Sequence, residues 1–225
     1  MAEALVRGEG LGRTYGDGPT AVVALREATF EAARGDRIAV VGPSGSGKTT
    51  LLHLMAALDV PTEGRIEWPA LGPREALRPS LVGVAFQGPS LLPPLTVTEN
   101  VALPILLAGG PEEEAVRAAR SLLDRFELAD VADKLPEEIS GGQSQRAAIA
   151  RALIGSPLLV LADEPTGQQD SEGARRLLEE MLARIAEMGA ALVLATHDPA
   201  VAQRMASQWS ISGGVLDAGV SSRSP

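Results

Sequence analysis

The sequence predicts an α/β fold: a parallel sheet covered on both faces, built around a phosphate-binding loop, with an N-terminal antiparallel β subdomain and an inserted helical subdomain. Three observations lead there. A buried strand-like run passes through a glycine-rich loop directly into a helix. Further apolar runs and amphipathic helices then alternate, the pattern of parallel strands joined by helical crossovers. A long helical stretch interrupts that alternation.

Val6 to Phe30 alternates turns with short apolar runs and is expected to form a small antiparallel sheet, with strands at Ala21–Leu25 and Ala28–Phe30. Asp36–Val41 reads as a buried strand, and the segment opening at Lys48 and continuing through Met55 as a helix. A turn follows at Val60–Gly64. From Glu67 to Pro79 no strand is evident, so the antiparallel part is expected to be reduced. Leu81–Phe86 is strand-like, and Gln87–Pro111 is a Pro-, Leu- and Gly-rich connector without periodicity.

Pro111 followed by Glu112, Glu113 and Glu114 is a helix start, since carboxylates complement the N-terminal dipole. Ala115, Ala119, Leu122, Leu123 and Phe126 give that helix one apolar face. Another helix is expected over Gln143–Ile154, a buried strand over Pro157–Ala162, an amphipathic helix over Gly173–Met188 and a buried strand over Ala190–Ala195. The Ser-rich end, Ser221–Pro225, is expected to be frayed. The chain is read as one domain, with a core of about 1–86 and 156–225 and a helical insertion of about 87–155.

Composition narrows the function. The 225 residues, 45% hydrophobic and 22% charged, suit a soluble globular domain. A net charge of −9 opposes general nucleic-acid binding, which requires a basic surface. With no cysteine there are neither disulfides nor thiolate metal sites. Met1–Ala4 is not expected to open a signal peptide. The charge-free stretch from Pro79 to Thr98 carries four prolines and is not expected to span a membrane.

Gly42-Pro43-Ser44-Gly45-Ser46-Gly47-Lys48-Thr49 fits the spacing G-x-x-x-x-G-K-[ST] of a phosphate-binding loop, which makes the core a phosphate-loop NTPase core. The glycines let backbone N–H groups converge on an anion, and the helix adds its positive end. Lys48 supplies a charge for β- and γ-phosphates, and Thr49 a hydroxyl for Mg²⁺. With Thr50, these residues form the expected nucleotide-binding set.

Leu158–Ala162 leads into Asp163 and Glu164, two carboxylates at the strand end where parallel sheets bind ligands. Neighbours on a strand point oppositely, so the two should divide their work. Asp163 suits Mg²⁺, and Glu164 suits the water that attacks the γ-phosphorus. Ser140-Gly141-Gly142-Gln143 is a second glycine-bearing helix start. It reads equally well as an anion site or as a plain helix cap.

Taken in order, the phosphate loop, Gln87, Ser140–Gln143, Asp163-Glu164-Pro165-Thr166, Asp170 and His197 resemble the ATP-binding subunit of ATP-binding-cassette (ABC) transporters over essentially the whole chain. The resemblance implies two subunits packed head to tail around two ATPs, each ATP held between one phosphate loop and the other chain's Ser140 motif. It further implies that Tyr15 stacks on adenine, that Gln87 contacts Mg²⁺ and the attacking water, and that His197 contacts the γ-phosphate and supports Glu164. The expected partners are a second ATP-binding subunit and an integral membrane permease. The subunit would then be cytoplasmic, peripheral on the inner face of the cell membrane.

Leu58–Gly64, Thr98–Pro104 and Ala162–Gly167 are similar to the branch serving lipoprotein release and macrolide export. One departure is Gln169, where the family usually has leucine before the residue matching Asp170. Two rivals are an ATP-driven regulatory subunit without cargo and a soluble ABC ATPase acting on nucleic acid; the net charge of −9 opposes the second. Leu91, Leu92 and Leu95 are expected in a groove for a permease helix, with anchoring of the helical insertion as the other reading.

Overall fold

The structure, a computed structural model, describes residues 3–219. The first two residues and the Ser221–Pro225 end lie outside it. In chain order the strands are β1 (Ala4–Tyr15), β2 (Val22–Ala33), β3 (Arg37–Val41), β4 (Glu63–Glu67), β5 (Val82–Ala85), β6 (Leu159–Asp163), β7 (Ala191–Thr196), β8 (Ser207–Ser212) and β9 (Val215–Asp217). The helices are α1 (Lys48–Met55), α2 (Val97–Leu107), α3 (Glu112–Arg125), α4 (Gly141–Leu153), α5 (Ser171–Met188) and α6 (Pro199–Ala202).

The strands run in the order β4-β1-β2-β9-β8-β3-β7-β6-β5. β3 pairs in parallel with β7 and β8, and β6 in parallel with β5 and β7, while β1, β2 and β4 form the antiparallel part. Side chains alternate across the parallel strands. On β6, Leu159 and Leu161 face the layer containing α1, whereas Val160 and Ala162 face the helical layer of α2 to α5. On β7, Ala191 and Val193 oppose Leu192 and Leu194 in the same way. Both faces are therefore dry, which is why these strands read as unbroken apolar runs.

Three expectations need correction. The runs Ala21–Leu25 and Ala28–Phe30 belong to one strand, β2, because Glu27 takes a positive φ of 48° and the register against β1 shifts there. Such a bulge breaks the alternation without ending the strand. Residues 63–67, placed partly in a turn, pair with β1 as β4.

The connector contains a helix, α2. It buries the polar Thr98 and Asn100 and exposes the apolar Leu107, so its sequence carries no clear facial period. Its start was nonetheless written in Thr96-Val97-Thr98-Glu99, a reciprocal capping box in which Thr96 Oγ1 accepts from the Glu99 N–H and the Glu99 carboxylate accepts from the Thr96 N–H. Asn100, wholly buried, clamps the preceding loop. Its amide donates to the carbonyls of Leu92, Leu95 and Thr96, and its oxygen accepts from the Leu92 N–H. Leu91 is buried in the helical layer, while Leu92 stays 44% exposed.

Candidate nucleotide site

The glycine-rich loop leaves the end of β3 and closes on the first turn of α1. Gly47 has φ 111°, and a Cβ there would run into the Ala24 carbonyl of β2, so the loop needs glycine for packing as well as for backbone freedom. The turn between β8 and β9 supports it from below, the Gly214 N–H donating to the Ser46 carbonyl at 3.1 Å. Neither support was visible in the sequence, because both come from strands distant in the chain.

Lys48 is buried, and its Nζ donates to the Gly42 carbonyl at 2.8 Å and the Pro43 carbonyl at 2.9 Å. The lysine thus staples its own loop into a ring. Inside that loop Ser46 Oγ is buried with no hydrogen-bond partner. A buried hydroxyl left unsatisfied costs free energy, and an oxyanion seated in the loop would relieve it.

At the foot of the loop Thr49 Oγ1 donates to Asp163 Oδ2 at 2.6 Å. Burial pushes the Asp163 carboxyl above its usual range, partly offset by the Thr49 hydrogen bond. Hydroxyl and carboxylate oxygens together suit a hard cation such as Mg²⁺. No group of three or more His, Cys, Asp or Glu side chains capable of holding a metal occurs among the described residues. Mg²⁺ commonly takes one or two protein oxygens and completes its shell with phosphate and water.

Glu164, the first residue past β6, points the other way. Its carboxylate is buried against the end of β7, where Oε1 accepts from the His197 N–H at 3.1 Å and meets His197 Nδ1 at 2.7 Å. Thr196 Oγ1 donates to the other oxygen at 3.3 Å. Glu164 itself has φ 48°, an uncommon backbone state for glutamate. Its turn is held by the Gly167 N–H and by the Gln145 amide, both donating to the Glu164 carbonyl. The His197 ring is raised above the usual histidine value, chiefly by the Glu164 hydrogen bond. A groove of about 430 Å³ runs between the Gly42–Pro43 edge of the loop and His197.

The remaining residues lie around this centre. Tyr15 ends β1, 38% exposed, with its hydroxyl donating to Asp59 at 2.8 Å and the Arg13 guanidinium 4.4 Å from its ring centroid. Arg13 in turn forms a two-pronged ion pair with Asp59. Gln87 follows β5, three places from β3 in the sheet, and lines a small recess with Gly141, Ser144, Gln145 and Gln168.

Ser140 caps its own helix: its hydroxyl accepts from the Gln143 N–H, and its N–H donates to the Gln143 side chain. Asp170 likewise caps α5 through the Gly173 N–H. Within one chain, then, the loop, Asp163, Glu164 and His197 come together, while Ser140 to Gln143 do not join them. Gln145, Arg13 and Asp59 were not anticipated, although Gln145 sits two residues beyond the Ser140 motif.

Residues 25–167 match the family described as ABC transporter. A lipoprotein-releasing system ATP-binding protein, LolD, from Legionella pneumophila (strain Paris) is 40% identical over 212 residues, covering 91% of this chain and 93% of the relative. LolD from Shewanella sp. (strain MR-4) is 38% identical over 225 residues, covering 97% of each. Among solved structures, the ATP-binding cassette MJ0796, dimeric and bound to ADP and Pi in a post-hydrolysis state, superposes with a TM-score of 0.87 at 33% identity, over 94% of this chain and 96% of that one. The cbiO1 chain from Clostridium perfringens, part of the ABC transporter complex cbiONQ, gives 0.79 at 27% identity, over 96% of this chain and 87% of that one.

Proposed function

This chain belongs to the ABC transporter family, and from that premise we propose that it is a transporter ATPase working as a head-to-tail pair of copies beneath a separate membrane permease. The observation that carries the reading is the parting of Asp163 and Glu164 at the end of β6, one toward Thr49 and the other toward His197.

The phosphates enter the loop, where backbone N–H groups, Ser46 and Lys48 receive them. Lys48 transfers its hydrogen bonds from the Gly42 and Pro43 carbonyls to the β- and γ-phosphates, so the cation is in place before the ligand arrives. Tyr15 offers its ring to adenine. Thr49 and Asp163 would hold Mg²⁺, which would supply charge neutralisation on the phosphate oxygens, and Gln87 is the further contact that the family resemblance implies. Glu164 takes the proton from the attacking water, and His197 fixes that carboxylate and reaches the γ-phosphate. The second copy completes the site with Ser140 and Gly142 at the positive end of α4. Asp170, opening α5, stands at the seam between copies. Most of the rate comes from these preorganised charges and donors.

The same reading treats the chain as one ATP-binding domain with 87–155 as a helical insertion. The domain sits at the inner face of the cell membrane and is held there by the permease. The names of the relatives support the lipoprotein-release branch. No helix among the described residues is long and apolar enough to cross a membrane.

Glu164→Gln tests the assignment. ATP binding persists while hydrolysis falls by roughly 10²–10⁴, the usual contribution of a positioned acid–base group. Turnover at the parental rate would remove Glu164 from the mechanism, and the proposal with it.

A further inference from the structure

Gln169 stands where leucine is usual, and its surroundings give it work that leucine cannot do. Its side-chain Nε2 donates to the Gly142 carbonyl at 2.8 Å and lies 3.4 Å from Gln145 Oε1. Gln145 is buried and spans the gap beyond. Its oxygen accepts from the Gln168 N–H at 3.1 Å, and its amide donates to the Glu164 carbonyl at 3.0 Å. Arg146 Nη1 closes the set with a 3.3 Å hydrogen bond to Gln169 Oε1. A Cβ at Gly142 would sit 3.1 Å from Gln169 Nε2 and 3.2 Å from the Gln168 carbonyl, so a side chain there would crowd the Gln168–Gln169 segment.

We propose that Gln169 and Gln145 form a polar tie that registers the Ser140 turn against the backbone of Glu164 within one chain. They are positioning residues, since their hydrogen bonds run to Gly142, Arg146, Glu164 and Gln168. This rests on the function proposed above, in which a chain keeps Glu164 for its own ATP and lends the Ser140 turn to the ATP of its partner. The tie makes the lent half-site and the retained half-site one rigid piece. Each end is a backbone carbonyl, so it fixes main-chain position and leaves the reacting side chains free to move.

The test is Gln169→Leu, a substitution of similar volume without the donor, with Gln145→Leu and the double variant beside it. Dissociation of a fluorescent ATP analogue from the isolated chain, and kcat and KM for hydrolysis by the assembled pair, are measured at fixed Mg²⁺. The expected result is a kcat about three- to tenfold lower, with KM and nucleotide affinity within twofold of the parent. The double variant should be no worse than the worse single one, because one broken link opens the whole chain.

An unchanged kcat in Gln169→Leu overturns the proposal, as does a loss confined to KM or additive losses in the double variant. Should Gln145→Leu fail to fold, Gln169→Leu alone decides. Glu164→Gln serves as the control: if it still hydrolyses ATP, the parent reading fails, whereas an inactive Glu164→Gln beside a fully active Gln169→Leu removes the tie alone.

Discussion

Glu164 meets His197 twice, through the ring at 2.7 Å and through the backbone N–H at 3.1 Å, both on the same carboxylate oxygen. The main-chain bond fixes where the carboxylate sits, and the ring bond responds to protonation. The carboxylate is buried while the ring is largely exposed, so the pair joins the closed end of β6 to the open groove.

The His197 ring should therefore titrate above the ordinary histidine value of about 6.5. Its folded-state value is raised, so whatever the ion pair contributes is complete below the unfolded value and fades as pH climbs through the folded one. A proton NMR titration of the ring reads this directly, and Glu164→Gln should return the midpoint toward the ordinary value. A midpoint indifferent to that substitution would mean the carboxylate is not the cause.

Lys48→Ala should weaken Mg²⁺·ATP binding by about ten- to a hundredfold, since charge-assisted hydrogen bonds contribute ~1.5–3 kcal/mol. It also opens the ring that Lys48 closes over Gly42 and Pro43. Calorimetric titration measures the change; affinity within twofold of the parent would contradict the loop assignment.

Ser140→Arg should abolish hydrolysis while leaving nucleotide on the phosphate loop of the same chain. Ser140 is exposed and occupied only with its own helix, which leaves its outer side open to a neighbour. Mixing Ser140→Arg with Lys48→Ala builds pairs with one site intact and one doubly broken, and some activity should return. Full activity of Ser140→Arg alone would dispose of the trans arrangement.

Leu91 and Leu92 separate two roles that looked alike in the sequence. Leu91 is an anchor within the helical layer; Leu92 faces outward. Leu92→Glu should melt within a few degrees of the parent, bind ATP normally and lose co-purification with membranes. Leu91→Glu should instead unfold the layer, because a buried unpaired carboxylate costs several kcal/mol. Normal membrane association of Leu92→Glu would end the idea of a permease groove there.

What could be read from the chain followed locality. The loop, the strand ending in Asp163 and Glu164, and the amphipathic helices α3 and α5 each write their pattern within a short window, and each stands where expected. The misses come from backbone states and contacts that a local hydropathy pattern does not show. α2 hid because it buries the polar Thr98 and Asn100 and exposes the apolar Leu107, and β2 looked like two strands because Glu27 turns the backbone. β9 is only three residues long, and β8 is half polar, with Trp209 and Ile211 alone facing inward. Gln145 carries no motif of its own and shows its use only when Glu164 and Gln169 arrive from the other side of the fold.

The parity of β6 has an evolutionary consequence. Slide that strand by one residue against β5 and β7 and every side chain exchanges faces: Asp163 would leave the Thr49 side of the sheet for the opposite one. The Asp163 carboxylate would survive, yet it would no longer meet the Thr49 hydroxyl. A single-residue insertion or deletion between Pro157 and Asp163 is thus forbidden even though it destroys no functional group. The surface loops can lengthen freely around a seven-residue segment that cannot change its count.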